Sequence, residues 1–431
     1  MVTPIIPGID PSQRPTRARY VVVLFALLLA VLAYVDRVCL SMAAPSVRRD
    51  LGLDQVQMGY VFATFALAYA LFASPSGWLG DRFGPKRVLV FAVVWWSICL
   101  AATGLTWNLA SLIVVQLLFG AGEAGCFPNL TKAITIWLPK HERVRAQGLM
   151  WTFARLGGAF TPPLMLFLIN LLGWRRAFGA FALLGGVWAI FFIIYYKPTP
   201  REHKKVNAAE LALIGDTSSV AGGQKIKVPW SKLLGSRTVW LIWAQWYLVS
   251  YPFYFFLTWW PTYLMEGRGL QPGETARWAI FPLLFAAAGS FSVGMFTAPL
   301  ARWIGSYRNA RRLIGGVSML AASLLVIAHM KTEAILPAVL LMGCVAFFTD
   351  LTVPTAWSTC MDVGGKFTGT LSGSMNMFGN FGSLTAPIAM GYMVRATGNW
   401  DYAIYSMVAA YLLAAVCWPL MDPETPLEGS R

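Results

Sequence analysis

The stretch Gly77-Trp78-Leu79-Gly80-Asp81-Arg82-Phe83-Gly84-Pro85-Lys86-Arg87 places one acid and three cations in a short gap between two long apolar runs. Those runs, at about residues 56–79 and 86–106, each have the roughly 20 residues an apolar helix needs to cross a bilayer. Asp81 falls at the C-terminal end of the first run. The helix macrodipole disfavours an anion there by about 0.3–1 kcal/mol, so Asp81 needs a positive partner: Arg82, Lys86, Arg87 or the start of another helix. Gly77 and Gly84 allow close backbone approach and a sharp turn.

Outward from this gap the chain repeats the pattern. Its 431 residues are 57% hydrophobic and 12% charged, with mean hydropathy +0.59; soluble domains carry about 25% charged residues. Further apolar runs lie at about 20–42, 109–138, 144–172 and 175–196, then at about 238–265, 276–303, 310–330, 334–360, 366–396 and 400–422. The polar stretch between the two groups of six contains Glu202, Lys204, Lys205, Asp216, Gly222, Gly223, Lys225 and Lys227, and reads as a linker with a surface helix near Ala208–Ile214. The apolar run after Arg19 continues past Leu40 without a small-residue cleavage site, so a retained first span is expected. With the N-terminus inside, about 23 of the 34 Lys and Arg fall on the cytoplasmic side, or about 15 against eight when the linker is left out. Both termini are therefore expected in the cytoplasm of a cell whose inner membrane holds the chain. The net charge of +15 is scattered through interhelical segments and forms no aromatic-interleaved stripe, which argues against nucleic acid. Cys39, Cys99, Cys126, Cys344, Cys360 and Cys417 form no C-x-x-C pair and read as packing residues.

The Gly77–Arg87 segment resembles the G-x-L-x-D-R-x-G-x-[RK]-[RK] loop of the major facilitator superfamily, at the place that family has it, after the second span. A degenerate copy lies between spans eight and nine, where Leu300, Arg302 and Gly305 keep register and Ala301 replaces the acid. The resemblance implies an all-α membrane protein of twelve transmembrane helices in two six-helix bundles, the major facilitator fold. The bundles are expected at 1–196 and 238–431, joined by a cytoplasmic linker at 197–237, with the substrate at the midplane between them. Spans one (Tyr34, Asp36, Arg37, Ser41), four (Gly120, Gly122, Glu123, Phe127, Pro128) and seven (Thr258, Pro261, Tyr263) look like the anion:cation symporter family. That likeness implies a secondary active transporter importing a small organic anion, such as a hexuronate, aldonate or aldarate, by proton symport with alternating access. Sodium coupling, exchange or a phosphate substrate are the alternatives. It implies no cofactor or metal, and a monomer in the lipid bilayer.

Asp36, Arg37, Glu123, Lys132, Arg155 and Asp350 fall well inside predicted spans, where each charge costs about 2.5–3.5 kcal/mol on insertion scales and therefore needs a cavity and a partner. Asp36 and Arg37 lie about 100° apart on a helix and should meet different neighbours; Glu123 is the expected partner of Arg37. The resemblance associates Asp36, Arg37 and Glu123 with proton coupling and anion binding, whereas a fixed ion pair locking two helices is the plainer reading. Many relatives carry an arginine seven residues before the fourth-span glutamate; this chain has Gln116 there, retained as a candidate substrate contact. Arg155 is the candidate replacement cation, unless it snorkels toward the cytoplasm. Lys132 suits a gate. Asp350, on a span interrupted by Pro354, is either a second proton site or a helix-locking acid.

Asn376 and Asn380 share a face of span eleven and suit substrate hydroxyls or interhelical hydrogen bonds. Tyr69, Tyr247, Tyr251 and Tyr254 face the cavity or form a packing stripe; Tyr69 and Tyr251 are the tyrosines assigned to substrate. The residues assigned to the conformational loop are Gly77, Asp81, Arg82, Gly84 and Arg87. An organophosphate antiporter would want an arginine in span seven, and a drug antiporter a G-x-x-x-G-P run where this chain has Leu156–Pro163. An enzyme would need a nucleophile with its base or a metal cluster, yet His141, His203 and His329 form no H-x-x-x-H pair.

Overall fold

The structure, a computed structural model, describes residues 14–217 and 230–427. The expected linker residues Gly222, Gly223, Lys225 and Lys227 lie outside them. Among the described residues twelve long helices follow one another: α1 (Ala18–Leu51), α2 (Gln55–Phe83), α3 (Pro85–Thr103), α4 (Leu109–Trp137), α5 (Lys140–Leu172) and α6 (Trp174–Tyr195). After the linker come α7 (Arg237–Thr258), α8 (Phe281–Ile304), α9 (Tyr307–Met330), α10 (Ile335–Gly364), α11 (Thr368–Thr397) and α12 (Asp401–Leu420).

Local chemistry sets the boundaries. Asp54 with Gln57, and Asn108 with Ser111, form capping boxes that satisfy the first-turn amides of α2 and α4. Gly84, at φ 82°, turns the chain sharply from α2 into α3, whose first residue is Pro85. α4 is broken at Ala124–Gly125, directly after Glu123, and restarts at Cys126. Among the described residues, ten helical stretches are long and apolar enough to cross a membrane, and one of them, Ile335–Thr397, contains both α10 and α11. α7 is absent from those ten because its tryptophans and tyrosines lower its hydropathy; part of that aromatic face lines the central cavity. The protein is a multi-pass membrane protein.

The two sets of six meet mainly through α2 against α11 and α5 against α8. On the side where the linker lies, these contacts are backbone to backbone. A Cβ on Gly77 would strike the Gly369 carbonyl, and one on Gly148 would meet the Ser290 carbonyl oxygen at 2.6 Å. The short helix of the linker is docked on the first six-helix set. Glu210 of the short helix Ala208–Ile214 is fully buried, accepts from the Ala18 and Arg19 amides at the start of α1, and pairs with the Arg19 guanidinium, which also binds Glu142 of α5.

Candidate functional site

A cavity of about 300 Å³ lies between the two halves. It extends from a floor at mid-depth toward the side opposite the linker, reaching Leu257 near the end of α7 and Leu283 near the start of α8. Trp151 and Trp246 form the floor, backed by the fully buried Trp357, whose ring centre lies 5.6 Å from that of Trp151 and 6.0 Å from that of Trp246. Phe127 stacks on Trp151 at 4.7 Å.

Two arginines enter this cavity, each with its own buried acid. Arg37 of α1 donates from Nε to Glu123 Oε1 on α4 at 2.5 Å. Its side chain keeps 25% of its surface exposed, whereas Glu123 has none. The acid thus sits behind the arginine and is reached through it. The Arg37 guanidinium lies 4.3 Å from the centre of the Tyr69 ring, and Arg37 Nη2 and Glu123 Oε2 have no hydrogen-bond partner. Asp36, on the next face of the helix, is buried away from the cavity beside Glu123 and Trp96, with Oδ1 unpartnered. The 100° step between helical neighbours therefore separates the cavity-facing cation from the acid behind it.

Arg155 of α5 crosses between the halves. Its Nε and Nη2 each lie 3.3 Å from Asp350 Oδ1 on α10, and Nη1 donates to the Tyr34 hydroxyl at 3.0 Å. Ser290 of α8 donates to the same Asp350 oxygen at 2.9 Å, and Asp350 Oδ2 has no partner. Arg155 lies in the cavity wall, not at a membrane surface. Asn376 of α11 joins the halves at the same level by donating to the Tyr69 hydroxyl at 3.1 Å, and Asn380 donates to the Asn376 carbonyl at 2.7 Å.

Two assignments move. Gln116 does not reach the cavity: it is buried against α3, donating to Thr103 Oγ1 at 3.1 Å, so it supplies no polar group to the cavity. Tyr251 turns toward α12 and hydrogen-bonds Ser406 at 3.0 Å, and Tyr247 bonds Thr385; the cavity tyrosine of α7 is Tyr254. A heptad-like spacing places three tyrosines near one another without saying which of them meets the opening.

The Gly77–Arg87 loop closes the linker side. Asp81 is buried and accepts from the Gly369 and Thr370 amides at 2.9 and 2.6 Å, in the first turn of α11, and from Lys132 Nζ at 2.5 Å. The partner is thus both the start of another helix and a buried cation from α4. Gly77 provides the close approach and Gly84 the turn. Arg82 lies over the Trp78 and Phe83 rings at 5.3 Å, and Arg87 is exposed. A second latch, absent from the sequence reading, joins Asp362 at the end of α10 to Arg143 of α5 at 2.5 Å and to Arg311 of α9 at 2.6 Å. The signal that singles out Asp81, an acid at a helix C-terminus, applies equally to Asp362.

A sequence profile of the Major Facilitator Superfamily matches residues 26–387. The chain belongs to the Major Facilitator Superfamily. Like the other members of this superfamily described below, it is a transport protein and not an enzyme. It is 35% identical to a probable sulfoacetate transporter, SauU, of Cupriavidus necator over 96% of both chains. It is 32% identical to a probable galactarate/D-glucarate transporter, GudP, of Bacillus subtilis, covering 95% of this chain and 92% of that one. Among solved structures, the fold matches the proton:xylose symporter XylE bound to 6-bromo-6-deoxy-D-glucose with a TM-score of 0.75 at 15% identity, over 94% of this chain and 97% of that one. FucP in the outward conformation matches with a TM-score of 0.72 at 14% identity, over 94% and 99%.

Proposed function

We propose that this superfamily member imports a small organic anion by proton symport with alternating access, as a monomer in the inner membrane with both termini cytoplasmic. One observation carries the reading: a cavity arginine, Arg37, whose side chain keeps 25% of its surface exposed while its Nε is held by a fully buried acid, Glu123, at the junction of the two halves. The relatives named as carriers of sulfoacetate and of aldarates transport acids, which suits such a cation.

The physical cycle follows from competition for Arg37. A carboxylate or sulfonate reaching the exposed part of the Arg37 guanidinium draws it away from Glu123, and an acid losing its cation in a dry site holds a proton more readily. Asp36, buried beside Glu123, is the second acid on that route. With an acid group on Arg37, a proton on Glu123 keeps the site as neutral as the empty ion pair, whereas the anion alone would add a negative charge to be moved. That neutrality lowers the cost of rocking one half against the other and of parting the Asp81 and Asp362 latches on the cytoplasmic side. Tyr69, Tyr254, Asn376 and Asn380 supply hydrogen bonds for the rest of the substrate, and Arg155, held by the buried Asp350, stands in the same cavity wall.

Purified protein in liposomes with an alkaline interior should accumulate labelled D-glucarate or sulfoacetate. A protonophore should collapse the accumulation, and exchanging sodium for potassium should not change it. Uptake that follows sodium, or no uptake of any organic acid, would overturn the proposal.

A further inference from the structure

We infer that the cavity is built for a dianion with an acid group at each end, one seated on Arg37 and the other on Arg155. This rests on the reading that the cavity carries an organic anion, and goes beyond it in assigning a second anion subsite and the charge class of the substrate.

Tyr34 serves both cations. The Arg37 guanidinium carbon lies 5.5 Å from the centre of its ring and the Arg155 carbon 5.7 Å. Both arginines therefore face one compact space, and both line the same cavity. A single small molecule can touch both.

The two positions are built alike. Each arginine is matched by one fully buried acid, Glu123 on α4 or Asp350 on α10. In each case only one carboxylate oxygen is engaged, and the other, Glu123 Oε2 or Asp350 Oδ2, has no partner. Each guanidinium also packs against an aromatic face at 4.3 Å, Tyr69 for Arg37 and Phe253 for Arg155. The Arg155–Asp350 contact is also long: both nitrogens reach the same oxygen at 3.3 Å, against about 2.7–2.9 Å for a strong charge-assisted bond. A guanidinium has five donors, and Arg155 spends three nitrogens on two oxygens, leaving N–H groups for a competing anion.

The consequence concerns selectivity. A monoanion on Arg37 leaves the Arg155–Asp350 pair intact across the halves, and a second acid group is needed to engage Arg155 as well. The cavity that both cations enter is also lined by the Phe127–Trp151 stack and by Asn376 and Asn380, which suits a short, polar or hydroxylated middle.

The test measures binding to the purified full chain by calorimetry with matched probes: D-glucarate against D-gluconate, and succinate against butyrate. The dianion of at least one pair should bind about tenfold or more tighter than its monoanion. Arg155→Gln should bring that ratio close to one, and Arg155→Lys should restore part of it. Asp350→Asn, which frees Arg155 of its counterion, should raise the ratio and guards against a folding defect in the arginine variants. Equal or weaker binding of both dianions by the wild type would overturn the inference while leaving the organic-anion reading standing, as would a ratio that survives Arg155→Gln. Failure of all four probes to bind would overturn both.

Discussion

At the scale of single residues, the site depends on fork geometry more than on charge alone. Arg37 reaches Glu123 through Nε, lies over the Tyr69 ring and keeps 25% of its side-chain surface exposed. A lysine keeps the charge and loses the plane. Arg37→Lys is therefore expected to weaken substrate binding by about tenfold or more, measured by calorimetry. Tyr69→Phe removes the hydroxyl that accepts from Asn376, a bond worth about 0.5–1.5 kcal/mol, and should lower affinity by about two- to tenfold. Tyr254→Phe should also reduce uptake, whereas Tyr251→Phe, whose hydroxyl faces Ser406, should not. Equal losses in the two variants would contradict the cavity boundary. The cost of a charge in a bilayer made Arg37, Glu123, Arg155 and Asp350 visible from the sequence, because each had to find a partner. The pairing of Arg155 with Asp350 was not visible, since the two are far apart in the chain and meet only when the halves pack. Gln116 and Tyr251 turned out to face neighbouring helices because a face shared in one helix does not fix which neighbour it meets.

At the scale of elements, the latches decide which side of the cavity is shut. Asp81 at the end of one helix binds the first-turn amides of another, so α2 and α11 hold end to end across the halves. Gly77→Val would force that contact apart, because its side chain would occupy the place of the Gly369 carbonyl. The expected result is loss of transport, with greater labelling of a linker-side cysteine introduced at Thr370 by a membrane-impermeant reagent in inverted vesicles. Unchanged labelling and unchanged transport would sink the latch. The loop motif was legible because helix-end electrostatics demands a partner for Asp81, although the sequence left open whether that partner was a cation or a helix start; the fold supplies both. The linker has a smaller switch. Burial, with Lys205 and Lys197 nearby, holds His203 below its ordinary value, and its Nδ1 accepts from the Lys205 amide at 3.2 Å. A lowered folded-state pKa means that the unfolded or undocked segment takes up the proton first. Docking is therefore favoured above about pH 6.5 and weakens as pH falls below it. The protection of residues 200–207 against hydrogen exchange, corrected for the intrinsic pH dependence of exchange, should fall between about pH 7 and 5, and His203→Gln should flatten that response.

At the scale of the whole molecule, twelve apolar runs, a degenerate loop repeat and the lysine and arginine bias were enough to read the architecture. Their lengths and polar punctuation are fixed by the bilayer itself. The direction in which the cavity opens was not legible: opposite states use the same helices and differ in which ends touch. Here the glycine contacts and both acid latches gather on the linker side, and the cavity reaches away from it. Asp362→Ala would leave Arg143 and Arg311 without their shared acid, and breaking a buried pair costs about 3–5 kcal/mol. That variant should spend more time open toward the linker, seen as a longer mean separation of spin labels placed on the linker-side ends of α5 and α10. The coupling of anion to proton is tested most directly in proteoliposomes bearing Glu123→Gln. Equilibrium exchange of labelled substrate should persist at a measurable rate, while accumulation driven by an imposed pH gradient falls to background; proton-driven accumulation at the wild-type level would contradict the role given to the Arg37–Glu123 pair.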